Sequence, residues 1–464
     1  LCYQLPAVVK RGNLHLTTIV ISPLISLMQD QVEHLQKKNI RAGMISSKNT
    51  SEDRRHMFNL FIDGLLDLVY LSPEMVSASQ QCKRAIDKLY CEQKLARIVV
   101  DEAHCVSNWG HDFRPDYKEL KWFKEKYPTV PIMALTATAS EQVRLDIVHN
   151  LKLKDPLLLK QSFNRSNLIY KVATKNKNTI FEMAKEIKIK YKNMTGIIYC
   201  NSKNQCEKTS QFLSTQGISC SYYHAGMEND ERSNVQRQWQ NGQLKVVCAT
   251  VAFGMGIDKP DVRFVYHFTL PRSLEGYYQE CGRGGRDGKT SYCTLYFNYT
   301  DFKSIESLLK RDKDLSKDNK EKHLAKLNDV LQYCNNTIEC RRKLVLTYFN
   351  ETFDPKACRK TCDNCRANNL VEQRDITKES KDIIALVGAL DNQQVTATYC
   401  MDVFRGSKNS KIVNAGHDNI PQHGLGKAFR KDDLQRIFQH LISAKYLGEY
   451  TKFNKSGFAT TYMK

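Results

Sequence analysis

The chain has 464 residues, and its 70 Lys and Arg outnumber its 50 Asp and Glu to give a formal net charge of +20 at pH 7. This length allows about three domains with buried cores, and the charge favours a polyanionic partner, although acidic proteins and membrane surfaces also attract basic chains. No segment approaches the roughly 18 apolar residues of a membrane span, and the first residues do not form a signal peptide. Because the 16 cysteines show no small-domain disulfide framework, we expect a reducing intracellular environment, free thiols and one metal site.

Strand-like and helix-like segments alternate over the first 155 residues. The predicted strands are β-branched apolar runs, and the predicted helices carry apolar residues at helical spacing. In chain order they are a strand that begins at Thr17 and ends in a turn at Ser22-Pro23, helix 25–37, strand 66–71, helix 74–89, strand 96–100 and strand 131–136. This alternation predicts a parallel α/β layer.

The same alternation restarts after a connector at residues 152–166 that contains Lys, Pro and Asn. The second set comprises strand 196–200, helix 203–217, strand 220–224, helix 228–241, strand 246–250, strand 262–268 and a helical segment at 274–280. Two consecutive α/β units indicate a cleft between them where a ligand can bind.

The pattern changes after about residue 300. The predicted elements are helices 302–311 and 320–335, a cysteine cluster, a polar linker near 371–378, helix 381–390, strand 395–399, helix 431–444 and a hairpin over 446–460. The loop 417–423 bears His and Gly, and we interpret it as solvated rather than metal-binding, because cysteine ligands are available upstream.

The first motif that carries chemistry lies where the strand predicted at residues 96–100 ends. Asp101 and Glu102 follow directly, and parallel sheets present functional groups at the carboxyl ends of their strands. One carboxylate there can hold Mg²⁺ beside a nucleotide while the other positions or deprotonates a water. A strand can end in Asp-Glu by chance, but residues 105–115 add Trp, Phe, His and Arg side chains that can stack on bases or contact phosphates.

Three further motifs follow strands or a short helix. Residues 135–139 place two Thr hydroxyls at a strand end, and residues 249–261 form a Gly-rich loop where bare backbone can approach a phosphate or a nucleic-acid strand. Arg283 and Arg286 are three residues apart in the Gly-spaced segment 279–288, which on a helix puts both guanidiniums on one face. Such an Arg, supplied by a second domain, stabilises charge in phosphoryl transfer. The alternative for residues 249–261 is an ordinary tight connection, and the alternative for residues 279–288 is a solvated basic turn.

A cysteine cluster and a C-terminal hairpin complete the candidate sites. Cys340, Cys358, Cys362 and Cys365 offer four soft ligands that suit tetrahedral Zn²⁺, with reduced structural cysteines as the alternative. The hairpin over 446–460 carries lysines that can meet the phosphates of a duplex end, or it can serve a protein-binding winged helix.

The motifs occur in the order typical of superfamily 2 helicases, which they resemble: residues 101–104, 135–139, 249–261 and 279–288. The loop 105–115 and the segment 223–227 are similar specifically to those of RecQ DNA helicases. The length and order of the C-terminal parts are similar to the Bloom syndrome and Sgs-type branch of that family. The resemblance covers nearly the whole chain.

The resemblance implies an α/β fold with two tandem RecA-like parallel-sheet domains, followed by a helical zinc-binding module and a winged-helix domain. The implied boundaries are residues 1–155 and 156–300 for the RecA-like domains, 301–375 for the zinc-binding module and 376–464 for the RQC winged helix.

The implied function is an ATP-dependent 3′-to-5′ DNA helicase that couples ATP hydrolysis to translocation on single-stranded DNA and to duplex unwinding, in DNA repair, recombination and replication. The implied cofactors are ATP, Mg²⁺ and Zn²⁺. The implied partners are single-stranded DNA, branched DNA or duplex ends, and repair proteins such as a type I topoisomerase, with no membrane and a nuclear location. A DEAH-type RNA helicase and a DNA-structure-binding module without catalysis stay open as alternatives; the aromatic loop and the cysteine cluster argue against the first.

Matching positions imply three groups of site residues. The catalytic and nucleotide-binding group comprises Asp101 for Mg²⁺, Glu102 for the attacking water, Arg286 as the arginine finger, and Arg283, Gln279, Gly256 and Asp258. His104 would couple this group to DNA. The DNA-contacting group comprises Ser22, Pro23, Ser107, Trp109, Phe113, Arg114, Thr136, Asn201, Ser202 and Thr250, with Lys452, Asn454 and Lys455 in the hairpin. The zinc ligands would be the four cysteines named above.

Two departures from the family pattern matter. In the family, a phosphate-cradling Gly-Lys-Ser/Thr loop lies immediately before the segment that matches residues 1–6, so we expect very weak or absent ATPase from these 464 residues by themselves. Cys281 and Gly285 replace the usual Ser or Thr and the usual Ala. Both changes are small and leave the Arg pair intact. We therefore expect them to affect the rate of ATP hydrolysis more than the role of this segment.

Overall fold

The computed structural model describes residues 2–9, 16–46, 49–107, 114–137, 141–254, 257, 259–313, 315–367, 374–391, 393–444, 446–453 and 459–464. The chain forms two compact units, Leu1–Asn368 and Asn369–Lys464. Among the helices of the described ranges, none combines the length and the apolar character that crossing a membrane requires.

The first sheet is parallel and is covered on both faces. Its strands are β1 (Thr17–Ile21), β2 (Ala42–Ile45), β3 (Leu68–Leu71), β4 (Leu95–Val100) and β5 (Ile132–Ala134), in the spatial order β2-β3-β1-β4-β5. Around it lie helices Gln4–Val8, Ile25–Gln36, Ser51–Ile62, Pro73–Ala78, Gln80–Cys91, Pro115–Lys118, Lys121–Lys126 and Glu141–Asn150, and a 3₁₀ helix at Ala103–Val106. Strands β1 and β3 are buried along their whole length, which explains why their sequences do not alternate between apolar and charged residues.

The second sheet repeats this plan with six parallel strands. They are β6 (Leu168–Thr174), β7 (Thr195–Tyr199), β8 (Cys220–Tyr223), β9 (Val246–Ala249), β10 (Val262–His267) and β11 (Ser291–Phe297), in the order β6-β11-β10-β7-β9-β8. The accompanying helices are Thr179–Lys190, Lys203–Thr215, Asn229–Gln240 and Leu274–Cys281. Packing at the centre is tight: a Cβ added to Gly196 in β7 would lie 2.0 Å from the Phe264 ring, so only glycine fits there.

The cysteine-bearing helical segment packs onto the second sheet. Its elements are helices Tyr299–Arg311, Lys317–Asn335, Arg341–Tyr348 and Asp363–Arg366, and a 3₁₀ helix at Pro355–Cys358. Leu327 and Val330 of this segment share one apolar core with Val265 and Tyr277 of the sheet domain. The segment is therefore an extension of the second RecA-like core, without a separate core of its own in the described residues.

The second compact unit is a small helical domain with a hairpin. It contains helices Thr377–Ala389, Ala397–Phe404, Ser410–Asn414 and Lys431–Ser443, a 3₁₀ helix at His417–Asn419, and the antiparallel strands β12 (Glu449–Phe453) and β13 (Ala459–Met463). Its apolar core is built from its own residues, with Phe404, Leu434 and Phe438 almost fully buried. This arrangement fits the winged helix expected at the C-terminus.

Three local predictions are wrong. The strand predicted at 395–399 is the start of a helix, because the Thr396 side chain accepts a hydrogen bond from Tyr399 N and caps helix Ala397–Phe404. The helix predicted at 74–89 is two helices, because Ser79 is extended and caps the second one. The loop at 417–423 is not simply solvated: His417 is buried, with its ring nitrogens 2.7 Å from Tyr399 Oη and 2.6 Å from Gln393 Oε1.

Candidate functional site

Asp101 and Glu102 lie at the carboxyl end of β4, in the centre of the first sheet. Asp101 N donates to the Ile21 carbonyl at the end of β1 (2.9 Å), and Glu102 N donates to Asp101 Oδ1 (3.0 Å). Glu102 has a φ of +48°, which turns the chain sharply at the strand end. Burial raises the pKa of the Asp101 carboxyl, and a bound divalent cation would oppose that shift. The pair therefore has the position and the oxygen ligands that a Mg²⁺ site needs.

His104 joins these carboxylates to the end of strand β5. Its ring is almost fully buried, with Nδ1 3.3 Å from Glu102 Oε2 and 3.0 Å from Thr136 Oγ1. Ala103 N donates to the Leu135 carbonyl (2.8 Å), which fixes the two strand ends against each other. The structure thus brings together three residues that the sequence placed in two separate motifs.

The loop after His104 is anchored at both of its described ends. Ser107 is fully buried, and its hydroxyl donates to Asp146 Oδ2 (2.6 Å) on helix Glu141–Asn150. Arg114 Nη1 donates to the carbonyl of Pro23 (3.1 Å), and Pro23 and Ser22 are both buried after β1. Trp109 and Phe113 lie outside the described residues. The roles of all these residues in DNA contact stay predictions.

At the second sheet, three predicted DNA-contacting residues follow neighbouring strands. Asn201 and Ser202 are exposed after β7, and Ser202 Oγ accepts from Gln205 N (3.2 Å) to cap the next helix. Thr250 follows β9, and its hydroxyl accepts from Ala252 N (3.4 Å). They lie at the carboxyl edge of one sheet, where parallel α/β sheets bind ligands.

The predicted arginine pair divides into one buried and one exposed side chain. Arg283 is 7% exposed and Arg286 is exposed, in the turn that follows helix Leu274–Cys281. Gln279 is half-buried on that helix, and Gly256 and Asp258 lie outside the described residues. The exposure of Arg286 suits the predicted arginine finger, which would have to reach a ligand bound outside its own domain.

A buried contact between a histidine and a glutamate supports the helix that carries this motif. His267 Nε2 at the end of β10 lies 2.7 Å from Glu280 Oε2, and the His267 ring stacks on Tyr199 with ring centroids 5.3 Å apart. Tyr199 Oη donates to the Phe253 carbonyl (3.0 Å). Sequence reasoning missed this pair, because nothing in the sequence connects His267 to Glu280.

The four predicted cysteine ligands converge on one point. Their Sγ atoms all lie within 4.8 Å of one another, and the Cys340 and Cys362 sulfurs are 3.9 Å apart. Tetrahedral zinc with bonds of about 2.3 Å places its sulfurs about 3.8 Å apart, so the cluster fits the ion. The contact with the Cys340 thiol lowers the pKa of Cys362 to about 5, with backbone amides contributing. Cys334 is buried nearby but is not in the cluster.

Comparison with known proteins agrees with this geometry. Four family models match the chain: DEAD/DEAH box helicase over residues 1–145, helicase conserved C-terminal domain over 179–288, RecQ zinc-binding over 299–366 and RQC domain over 371–462. The ATP-dependent DNA helicase Q1 of Rattus norvegicus is 38% identical over all of this chain and 73% of its own length. The chain belongs to the RecQ family.

Longer RecQ relatives are also similar throughout the chain. The ATP-dependent helicase SGS1 of Saccharomyces cerevisiae is 64% identical over all of this chain and 32% of its own length. The RecQ-like DNA helicase BLM of Xenopus laevis is 40% identical over all of this chain and 35% of its own length. The chain therefore spans about a third of the length of these two relatives.

A solved structure shows the same fold at low identity. The crystal structure of the DUF1998 helicase MrfA bound to DNA and AMPPNP matches with a TM-score of 0.52 and 18% identity, over 81% of this chain and 54% of that one. The predicted RecQ resemblance, two parallel-sheet domains, RecQ zinc-binding segment and RQC domain are confirmed. The RecQ zinc-binding match contains all four clustered cysteines, so the zinc prediction is confirmed as well.

The hairpin of the RecQ C-terminal domain pairs Glu449 with Met463 and Phe453 with Ala459. Lys452 lies on β12, whereas Asn454 and Lys455 lie outside the described residues. The proposed contact of these three residues with a duplex end stays a prediction.

Proposed function

We propose that the full-length protein is an ATP-dependent DNA helicase that moves 3′ to 5′ on single-stranded DNA and unwinds duplexes. The observation that carries the proposal is the contact path from Glu102 through His104 to Thr136. It joins the carboxylate predicted to activate water to a residue predicted to contact DNA. Because His104 is buried and contacts both residues, we expect it to pass a shift of either neighbour to the other.

Each residue of the nucleotide site would have a separate task. Asp101 would hold Mg²⁺, which when bound neutralises charge on the phosphates. Glu102 would orient the attacking water and take its proton, and Arg286 would stabilise the charge that develops on the transferred phosphoryl group. Arg283, Gln279, Gly256 and Asp258 would complete the nucleotide-facing surface.

DNA would be contacted by residues of both sheets and by the hairpin. The proposed group is Ser22, Pro23, Ser107, Trp109, Phe113, Arg114, Thr136, Asn201, Ser202, Thr250, Lys452, Asn454 and Lys455. Support comes from the placement of Thr136 and Thr250 after the carboxyl ends of parallel strands and from the net charge of +20. The family resemblance further supports a nuclear protein that works in DNA repair and recombination. It also supports a type I topoisomerase as a partner. Co-purification of the two proteins from nuclei would test both the location and the partner.

Unwinding of tailed duplexes tests the activity and its direction. With ATP and Mg²⁺, the full-length protein should unwind a DNA duplex with a 3′ single-stranded tail and leave the 5′-tailed and RNA counterparts intact. Single-stranded DNA should stimulate its ATPase. Unwinding of 5′-tailed DNA would refute the direction, and preference for RNA would favour the RNA helicase alternative. Tight DNA binding without stimulated ATPase would leave only a DNA-binding role.

A further inference from the structure

Arg165, in the chain segment that precedes β6, holds the backbone of the turn that carries Arg286. Arg165 Nη1 donates to the Gly282 carbonyl (3.3 Å), and its Nη2 donates to the carbonyls of Gly284 (3.0 Å) and Gly285 (2.9 Å). Asn167 Nδ2 donates to the Gly285 carbonyl as well (2.8 Å). Three carbonyls in the four residues before Arg286 are thus bound by one guanidinium.

The turn needs such support because its own sequence favours no single conformation. Three of the four residues after Cys281 are glycines, and glycine loses more conformational freedom on ordering than any other residue. Gly285 has a φ of +55°, so the backbone direction changes immediately before Arg286. The planar guanidinium presents several donors in a fixed arrangement, so it can fix several carbonyls at once.

Arg165 is itself held by the zinc-binding segment. Arg342 is almost fully buried, and its Nη1 donates to Asn164 Oδ1 (2.8 Å) and to the carbonyl of Arg165 (2.7 Å). Its Nη2 donates to the Leu168 carbonyl (2.7 Å) and to the hydroxyl of Thr361 (2.9 Å). Thr361 precedes the zinc ligand Cys362 directly. Hydrogen bonds therefore connect the zinc site to the Arg286 turn through two arginines.

Aromatic packing fixes the same stretch of chain. Phe163 stacks on Phe349 of the zinc-binding segment with ring centroids 4.8 Å apart, and its carbonyl accepts from Tyr278 Oη (2.8 Å). Tyr278 lies on the helix that leads into the turn. Together with the Arg342 bonds to Asn164 and Leu168, this packing holds the chain on both sides of Arg165, so its side chain can support the turn.

We propose that Arg165 is a positioning residue for Arg286, and that Arg342 links this support to the zinc-binding segment. Arg165 acts through the carbonyls of Gly282, Gly284 and Gly285, without contact to ATP. Loss of its donors leaves the turn held by Asn167 and by backbone hydrogen bonds such as those to Val262 and Pro260. The turn then becomes looser, so Arg286 spends less time where charge develops in phosphoryl transfer. The inference rests on the proposed ATPase activity. It adds that the rate of this ATPase depends on Arg165, a residue outside the recognised motifs.

The test is a double-mutant cycle in the full-length protein between Arg165→Gln and Arg286→Ala. Arg165→Gln should lower kcat of the DNA-stimulated ATPase by about tenfold to a hundredfold, as expected for a displaced catalytic group. KM for ATP, affinity for single-stranded DNA and the zinc content should stay within twofold of wild type. In the Arg286→Ala background, Arg165→Gln should not lower kcat further, because the side chain that Arg165 positions is already absent.

Two controls separate positioning from a general loss of structure. Arg41→Gln removes another multiply bonded Arg, paired with Asp67 in the first sheet domain, and should leave kcat unchanged. Arg165→Lys keeps the positive charge but loses the planar set of guanidinium donors, so it should also lower kcat. If Arg165→Gln does not fold, the Lys variant alone tests whether Arg165 positions Arg286. Unchanged kcat in the Lys variant, or multiplicative effects of Arg165 and Arg286 substitutions, would overturn the inference. An inactive wild type would instead refute the proposed function.

Discussion

Glu102 is the residue on which the proposed hydrolysis depends most directly. Its backbone lies in the left-handed region, which costs a non-glycine residue about 1–3 kcal/mol and persists only where surrounding contacts enforce it. The hydrogen bond that Glu102 N donates to Asp101 Oδ1 and the contact of Glu102 with His104 supply this enforcement here. The strained turn sets Glu102 beside Asp101, so that one strand end presents both the proposed metal ligand and the proposed base.

Replacing Glu102 with Gln should abolish most of the ATPase while leaving ligand binding intact. The amide keeps the size of the side chain but cannot take a proton, so kcat should fall by about a hundredfold to ten-thousandfold. Steady-state ATPase of the full-length protein, with nucleotide and DNA affinities measured in parallel, provides the test. Glu92→Gln, which removes an exposed carboxylate paired with Lys94, is the matched control and should behave as wild type. Retained turnover in the Glu102 variant would exclude it as the base.

At the scale of elements, the sequence predicted those strands that carry runs of β-branched and apolar residues. Strands β1, β4, β7 and β9 lie within one or two residues of their predicted positions, since their burial produces a strong pattern. Strands β2, β6 and β11 were not predicted: β2 begins with Ala42 and Gly43, which favour strands weakly, and residues that are not fully buried interrupt β6 and β11. The predicted strand at 395–399 failed because the β-branched residues Val395 and Thr396 gave a strand signal at a helix cap.

The candidate site was predictable where chemistry follows a strand directly. Asp101, Thr136 and Thr250 could be located because each strand end fixes where the next side chain lies. The role of Arg165 could not be predicted, because its partners are 117 to 120 residues away in sequence and are backbone carbonyls. Every residue has a backbone carbonyl, so the sequence does not show which carbonyls accept these hydrogen bonds. Only the folded chain shows it.

The zinc-binding segment is an element whose stability should depend on its metal. Cys362→Ser removes one of four thiolates, and we expect zinc content to fall from one ion per chain to nearly none. Because Cys358 and Cys362 lie in the same core as the second sheet, the unfolding temperature of that unit should fall too. Elemental analysis and calorimetry measure both effects. Cys334→Ala is the matched control: it removes a buried thiol outside the cluster and should keep the zinc. Full zinc retention by the Cys362 variant would contradict the four-cysteine site.

At the scale of the whole molecule, the chain consists of two units with separate cores. The core of Asn369–Lys464 contains Leu386, Phe404, Leu434, Phe438 and Met463, all from that unit. A domain of roughly a hundred residues buries enough apolar surface to fold without a partner. The C-terminal unit therefore has a core that can support its own folding.

We expect residues 369–464 to fold cooperatively when expressed alone, and the full 464-residue chain to unfold in two transitions. Leu434→Ala should destabilise the C-terminal unit by about 2–5 kcal/mol, because it empties a fully buried position, and should lower only that unit's transition. Val413→Ala, at a position 44% exposed in the same unit, should change either transition little. Calorimetry of both chains and of the two variants measures these effects. A single transition that Leu434→Ala shifts as a whole would mean that the two units unfold together.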